Sequence, residues 1–144
     1  MAKRGSKRSK PQADLLTKGR RHDLLEIYNA LNWQYFNGKI LSRIRWGRKP
    51  FATRHHHQSI EMGLCGIEAR LITIHRALDR SWVPRFFVKY IVFHEMLHLK
   101  HPPRRKNGHH SFHYPKFLAA EKNFHNYAKA ARWEKNNLNR LCFF

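Results

Sequence analysis

The chain has 144 residues, enough for one domain with a substantial apolar core. Its 29 lysines and arginines outnumber 9 aspartates and glutamates, and the formal net charge of +20 favours polyanionic partners. We expect neither a signal peptide nor a membrane span, because no apolar run approaches roughly 18 residues. The two cysteines, Cys65 and Cys142, lie far apart. Together these features predict a cytoplasmic, monomeric protein with reduced thiols and no membrane contact.

The basic residues are spread along the whole chain, which predicts contacts with the phosphates of nucleic acid. No zinc-finger spacing, helix-turn-helix signature or RNP-type motif accompanies them, so we expect weak sequence specificity. Residues 1–12 have almost no apolar content and are predicted to be a disordered basic tail ahead of a domain at 13–144. Basic residues also cluster at Lys18, Arg20 and Arg21. The candidate nucleic-acid contacts are Lys3, Arg4, Lys7, Arg8, Arg43, Arg45, Arg104, Arg105 and Lys106.

The first predicted helix spans Arg21–Phe36, where apolar residues recur on one face until Asn37–Gly38 ends it. Residues 39–46 then alternate between apolar and polar side chains, which predicts a half-buried strand. The aromatic residues of these and later segments are predicted to be core rather than a surface for stacking bases. They are Trp33, Tyr35, Phe36, Phe86, Phe87 and Phe93.

Short strands flanking a loop are predicted over residues 51–67, with bends at Gly63 and Gly66. Three consecutive histidines at 55–57 belong to this segment and are predicted to lie in a polar loop or at a strand edge, since adjacent side chains cannot all face one ion. Residues 69–75 are rich in β-branched side chains and predict a further strand. The 60–75 region is our candidate for an edge that binds an extended peptide.

A long apolar helix is predicted to begin at Pro84 and to end before Pro102–Pro103. A basic loop leads from it to Gly108, and a last helical region from about Tyr114 to Leu141 is predicted to break near Asn123–Asn126. The order of these elements predicts an α+β fold in which a short antiparallel sheet packs on the long helix.

The long helix contains the pattern HEMLH, which has metal-binding spacing. His94 and His98 are four residues apart and therefore project from one face, with Glu95 beside them. Neutral histidines bind zinc, and a carboxylate next to a zinc-bound water can remove its proton. The chain is rich in histidine, with 12 residues, so the pattern alone is weak. Its place on an apolar helix favours a functional site, because buried polar groups need partners.

The third metal ligand has to come from another segment. His101 continues the stripe, but three more residues place it about 4.5 Å farther along the axis, and a proline follows it. His113 is the better candidate, because it directly precedes a predicted helix start at a proline. His110, His109 and Glu121 remain alternatives.

The stretches YNALNWQYFNGKI, IRW, GLCG, ITIHRAL, FHEMLH and HYPKF together resemble the SprT-like zinc metalloproteases. The resemblance runs from about Asp23 to Phe124 and is strongest at HEMLH. HYPKF matches the first and last positions of the family's HGxxF-like element, with Tyr114 in place of the usual glycine. The resemblance implies a zincin-like domain in which His94, His98 and His113 bind Zn²⁺. It also implies that Glu95 acts as the general base and that the substrates are associated with DNA. The expected nucleic-acid partner is therefore DNA in preference to RNA.

Two functions are therefore expected from the sequence. The first is a zinc metallopeptidase that hydrolyses peptide bonds by a zinc-bound water, near or on DNA. The second is a nucleic-acid-binding module whose zinc site is structural or inactive. An open fourth position on the metal would favour the first function, and a closed shell of four protein ligands the second. The group that stabilises the oxyanion is left open between His75, Tyr114 and several arginines.

Overall fold

The computed structural model of the protein describes residues 10–48 and 61–142. In chain order the helices and strands of these residues are α1 (Leu24–Phe36), β1 (Arg43–Trp46), β2 (Gly63–Gly66), β3 (Leu71–Ile74), α2 (Arg85–Lys100), β4 (Arg104–Lys106), β5 (His109–Ser111), α3 (Pro115–Glu121) and α4 (Tyr127–Cys142). The predicted α+β class is confirmed. Within the described ranges, no helix is both long enough and apolar enough to cross a membrane.

Helix α1 begins three residues later than predicted, because Asp23 caps it. The Asp23 carboxylate accepts hydrogen bonds from the backbone N–H groups of Leu25 and Glu26, which otherwise lack partners in a first turn. Asn37 ends the helix in the left-handed conformation, with φ 52°, as predicted. The prediction that Trp33 is a core residue is wrong. Its side chain is 74% exposed, on the face of the helix opposite to the buried one.

The main sheet is mixed, with strand order β1-β3-β2. Strand β2 pairs antiparallel with β3, as predicted, but β1 pairs parallel with β3. A parallel pair needs a long crossover, and the chain between β1 and β3 is long enough for one. The predicted strand at 39–46 is shortened to β1 because side chains of α1 bind its first part. Asn32 pairs with both backbone groups of Ile40, at 2.9 and 3.0 Å.

Helix α2 is the central element of the core. It contacts α1, β2, β3, α3 and α4, and Phe87, Phe93 and Met96 are almost completely buried along it. Pro84 immediately precedes the first turn, and His101 ends the helix before the two prolines. Because α2 is covered by other elements on most sides, its residues Glu95 and His98 are buried.

The segment after α2 is a β-hairpin, where a basic loop was predicted. Strands β4 and β5 pair antiparallel around Asn107 and Gly108, which have φ angles of 52° and 78°. Positive φ at both central residues is the requirement of a tight hairpin turn, and Asn-Gly satisfies it well. Beyond the hairpin, the predicted interruption of the last helical region is confirmed by the gap between α3 and α4.

Gln12 was predicted to belong to the basic tail, and in the structure it is bonded to β1 instead. Its side-chain amide donates to the carbonyl of Ile44 at 2.9 Å and accepts from the Ile44 N–H at 2.7 Å. A short 3-10 turn at Gln12–Asp14 follows. The side chain thus takes the place of a neighbouring strand along this edge of β1.

Candidate metal centre

Three histidines converge between α2 and the start of α3. His94 and His98 lie one turn apart on α2, and His113 lies two residues before α3. One nitrogen from each ring lies within 4.8 Å of the other two, an arrangement that could hold a metal ion. The Nε2 atoms of His94 and His113 are 3.2 Å apart. The structure therefore brings together the three residues predicted as ligands.

The position of His113 is fixed by the residues that follow it. The buried Tyr114 donates its hydroxyl to the carbonyl of Pro102 at 3.0 Å, which ties the start of α3 to the end of α2. Phe117 is fully buried, and its ring lies 4.7 to 5.2 Å from those of His98, His113 and His94. Tyr114 is thus engaged in the fold, and this hydrogen bond occupies the hydroxyl that was considered as an oxyanion stabiliser.

A buried carboxylate orients the His94 ring through a hydrogen bond with its Nδ1 atom. Glu121, at the end of α3, accepts a hydrogen bond from His94 Nδ1 at 2.8 Å and another from the Tyr90 hydroxyl at 2.6 Å. Burial alone would raise the pKa of Glu121, but these two hydrogen bonds outweigh it and lower that pKa. With Nδ1 engaged in this way, Nε2 of His94 is the nitrogen that faces the other histidines.

His98 is suited to the role of a neutral ligand. Burial, together with the neighbouring His94 and His113, lowers the pKa of His98 to about 4. Within the part of the chain that the structure describes, its Nδ1 is buried and has no hydrogen-bond partner. Only a neutral imidazole offers a lone pair to a metal ion, so His98 is in the form that ligation needs.

Glu95 lies at the wall of a cavity of about 380 Å³ that His98 and His113 also line. Burial raises the pKa of the Glu95 carboxyl to about 7. Gly63 on β2 allows this position, because a Cβ atom there would lie 2.8 Å from Glu95 Cγ and 2.9 Å from Oε1. A bend was predicted at Gly63, but the structure makes it the first residue of strand β2, where it leaves space for the carboxylate.

The rest of the cavity is lined mainly by apolar side chains, among them Leu64, Ile67 and Phe112. Leu64 and Phe112 are about half exposed, at 55% and 47%. Strand β2 forms an edge of the main sheet and runs along the cavity. The edge strand that was predicted within 60–75 is thus placed beside Glu95.

The other histidines considered as ligands lie apart from this cluster. His101 ends α2. His109 and His110 are exposed on β5, opposite Lys106 and Arg105. Among the described residues, the cluster contains neither these three nor Glu121, whose carboxylate binds His94 instead. The three consecutive histidines at 55–57, which were predicted to lie in a polar loop or at a strand edge, are outside the described residues.

The structure distributes the predicted nucleic-acid contacts over separate surfaces. Arg43 and Arg45 lie on β1, where the first donates to the carbonyls of Lys10 and Ala69 and the second to the hydroxyl of Thr73. Three further residues form the exposed strand β4, namely Arg104, Arg105 and Lys106. The tail residues Lys3, Arg4, Lys7 and Arg8 lie outside the described part of the chain.

Sequence reasoning missed the contacts that support the site. Glu121 was considered as a ligand, and Tyr90 and Gly63 were not connected to the site at all. The sequence contains one signal that could have indicated Glu121, a carboxylate within an otherwise apolar and basic helix. The contacts of Gly63 with Glu95 depend on how β2 packs on α2, which no local pattern shows.

Comparisons with known proteins identify no relative of this chain. No family model matches the sequence, no curated protein matches it, and no solved structure matches the fold.

Proposed function

We propose that the protein is a zinc-dependent metallopeptidase, similar to the SprT-like family that its sequence resembles. The observation that carries this proposal is the convergence of His94, His98 and His113 beside the buried Glu95. Histidine ligands of this number leave one coordination position free in a tetrahedral site, which is the arrangement of catalytic zinc centres.

The separation of two of the ring nitrogens fits zinc. Tetrahedral coordination with Zn–N bonds of about 2.0–2.1 Å separates two ligand nitrogens by about 3.3–3.4 Å. The observed separation between the Nε2 atoms of His94 and His113 is 3.2 Å. The hydrogen bond from His94 Nδ1 to Glu121 is the support that zinc-binding histidines usually have. Imidazole also binds other transition metals, so the choice of zinc rests on the all-histidine set with one carboxylate base.

When bound, zinc would polarise a peptide carbonyl and make a water molecule more acidic. Glu95 is the residue that removes the proton of the attacking water and delivers it to the leaving amine. Its raised pKa, about 7, suits a group that must both accept and release a proton near neutral pH. The buried wall formed with Gly63 holds the carboxylate beside the metal ligands.

The substrate of this proposal is an extended peptide. An edge strand can add a peptide as a further strand through backbone hydrogen bonds, and β2 lies at such an edge. Leu64 and Phe112 would then contact apolar side chains of the substrate. The charge of +20 supports a second partner, nucleic acid. The resemblance to the SprT-like family favours DNA over RNA, so that the proteins cleaved are those bound to DNA.

Metal analysis combined with a hydrolysis assay tests this proposal. The purified protein should contain about one zinc per chain, and His94→Ala or His98→Ala should lose it, because each change removes one ligand. Glu95→Gln should keep the zinc and abolish cleavage of an unfolded protein substrate. His101→Ala is the matched control and should change neither quantity. Zinc loss in Glu95→Gln as large as in the histidine variants would contradict the role of Glu95 as the base.

The second candidate is a nucleic-acid-binding module with a structural or inactive metal site, which the high positive charge favours. It predicts that the wild-type protein binds zinc and nucleic acid but cleaves no protein. X-ray absorption of the zinc-loaded protein separates the two candidates. A water in the fourth position supports the peptidase, and a fourth protein ligand supports the structural site.

A further inference from the structure

A second cleft lies away from the histidines, between the segment that precedes α1 and the segment that follows β3. Its volume is about 820 Å³, and none of the three clustered histidines lines it. Basic side chains dominate its walls, with one carboxylate, that of Asp79, among them. The basic residues are Lys18, Arg20, Arg21, Arg76 and Arg80.

The Asp79 carboxylate is already engaged by the protein backbone. Its oxygens accept hydrogen bonds from the N–H groups of Arg20, Arg21 and His22, at 2.8, 2.9 and 3.1 Å. Gly19 is necessary for this contact, because a Cβ atom at that position would collide with the same carboxylate. Asp79 therefore anchors the 18–22 segment through the backbone N–H groups of three of its residues.

A second contact holds the same segment in place. The ring Nε2 of the buried His22 lies 3.0 Å from the carbonyl of Val83. Together with the bonds to Asp79, it fixes the 18–22 segment against residues 79–83. Lys18, Arg20 and Arg21 are nevertheless exposed. Cations on a fixed backbone lose less conformational freedom when they bind than cations on a free tail, which makes the cleft a prepared site for an anion.

The aromatic residue of the cleft is occupied by other contacts. The guanidinium of Arg140 lies 4.0 Å from the centre of the Trp82 ring. The Trp133 ring stacks on the Trp82 ring, with 6.1 Å between their centroids. Trp82 is therefore part of the packing against α4, and we assign it no role in stacking a base. Arg140 also adds positive charge next to the cleft. These features favour recognition of phosphates over recognition of bases.

We propose that this cleft binds the phosphodiester backbone of a nucleic acid through Lys18, Arg20, Arg21, Arg76 and Arg80. Basic side chains in a concave surface concentrate the positive potential, and an extended polyanion can reach several of them at once. A chain of formal charge +20 attracts polyanions over its whole surface, and in this cleft five basic residues line a single cavity. Binding here does not depend on the metal centre or on hydrolysis.

The test replaces the three exposed cations in the full chain, Lys18→Gln, Arg20→Gln and Arg21→Gln together. The backbone N–H groups that bind Asp79 remain, so the segment should keep its position. The matched control removes the same charge from three exposed lysines outside the cleft, by Lys39→Gln, Lys116→Gln and Lys122→Gln. Equal melting temperatures and equal zinc contents would show that both variants are folded. Arg20→Glu alone is the second variant, for use if the triple variant unfolds.

Binding is measured by fluorescence anisotropy over a range of salt, with a labelled DNA duplex, a single-stranded DNA and a single-stranded RNA. Each phosphate contact contributes about −0.9 to the slope of log affinity against log salt for duplex DNA. Three lost contacts should reduce the slope by up to about 2.7 and the affinity at 0.15 M salt by up to about a hundredfold. We expect the cleft variant to lose at least about ten times more affinity than the control for one or more of the probes.

Two results would overturn the proposal. One is an equal loss in the cleft variant and the control for all three probes, which would mean that the contact is spread over the surface. The other is a wild-type protein that binds none of the probes at low salt. Neither result depends on proteolysis, so failure of the cleft proposal and failure of the peptidase proposal are distinguishable.

Discussion

Replacing Glu121 with alanine tests whether the metal centre depends on the carboxylate behind His94. Glu121 is 7% exposed and binds both His94 and Tyr90. Removing a carboxylate that orients a metal-binding histidine typically weakens metal affinity 10- to 100-fold. We therefore expect the zinc dissociation constant of Glu121→Ala to rise by this factor, which equals a loss of about 1.4–2.7 kcal/mol.

The same change should also destabilise the protein without metal. It leaves the Tyr90 hydroxyl and His94 Nδ1 without their acceptor, and an unsatisfied buried polar group costs about 1–3 kcal/mol. Zinc affinity and unfolding have to be measured separately for this reason. Competition with a chromogenic chelator gives the first quantity, and chemical denaturation of the metal-free protein gives the second.

Two further variants serve as controls for Glu121→Ala. Tyr90→Phe removes one donor to Glu121 and keeps the bond to His94, so we expect it to destabilise the protein while changing zinc affinity less than tenfold. Glu26→Ala removes an exposed carboxylate that pairs with Arg85 at 3.1 Å, and surface pairs contribute little. A folded Glu121→Ala protein with the zinc affinity of Glu26→Ala would refute the orienting role.

Three other predictions follow from the site. His113→Ala should weaken zinc binding far more than His109→Ala or His110→Ala, because of these three only His113 lies with His94 and His98. Chelator competition measures the zinc affinity of each variant. A larger effect of His110→Ala would mean that the hairpin folds back differently. Gly63→Ala should keep the zinc but lower kcat/KM about a hundredfold, since the added Cβ would displace the Glu95 carboxylate. An unchanged kcat/KM would contradict the role of Gly63 in leaving space for Glu95. DNA should accelerate cleavage of a DNA-binding substrate at low salt and hardly affect cleavage of unfolded casein. Equal cleavage rates with and without DNA would mean that the basic surface does not contribute to proteolysis.

Local patterns were sufficient to predict the main elements of the fold. The apolar run between Pro84 and Pro102 predicted α2 because prolines restrict both ends of a helix, and the spacing of His94 and His98 then placed both side chains on one face. His113 could be predicted because Pro115 marks the start of a helix, with Phe117 available to anchor it. In each case the signal lies within a few residues of the feature.

Features formed by distant segments could not be predicted in the same way. The bond between His94 and Glu121 joins residues 27 positions apart, and those between Asp79 and the 20–22 backbone span 57 to 59 positions. Sequence periodicity carries no information on such pairs, which depend on how the elements pack. The hairpin at 104–111 is a different case. Its Asn107–Gly108 turn is a strong local signal, but its strands are wholly exposed and polar and so lack the alternation that identifies a strand.

The two proposed sites complement each other in selectivity. The cavity beside Glu95 offers apolar contacts and an edge strand, and backbone hydrogen bonds to an edge strand discriminate poorly between substrates. The basic cleft would contact phosphates, which lack sequence information as well. Binding to one polymer, however, raises the concentration of every protein on that polymer around the enzyme. Under the proposed function, the enzyme would therefore select substrates by where they are bound, which requires no strict preference at the cleaved bond.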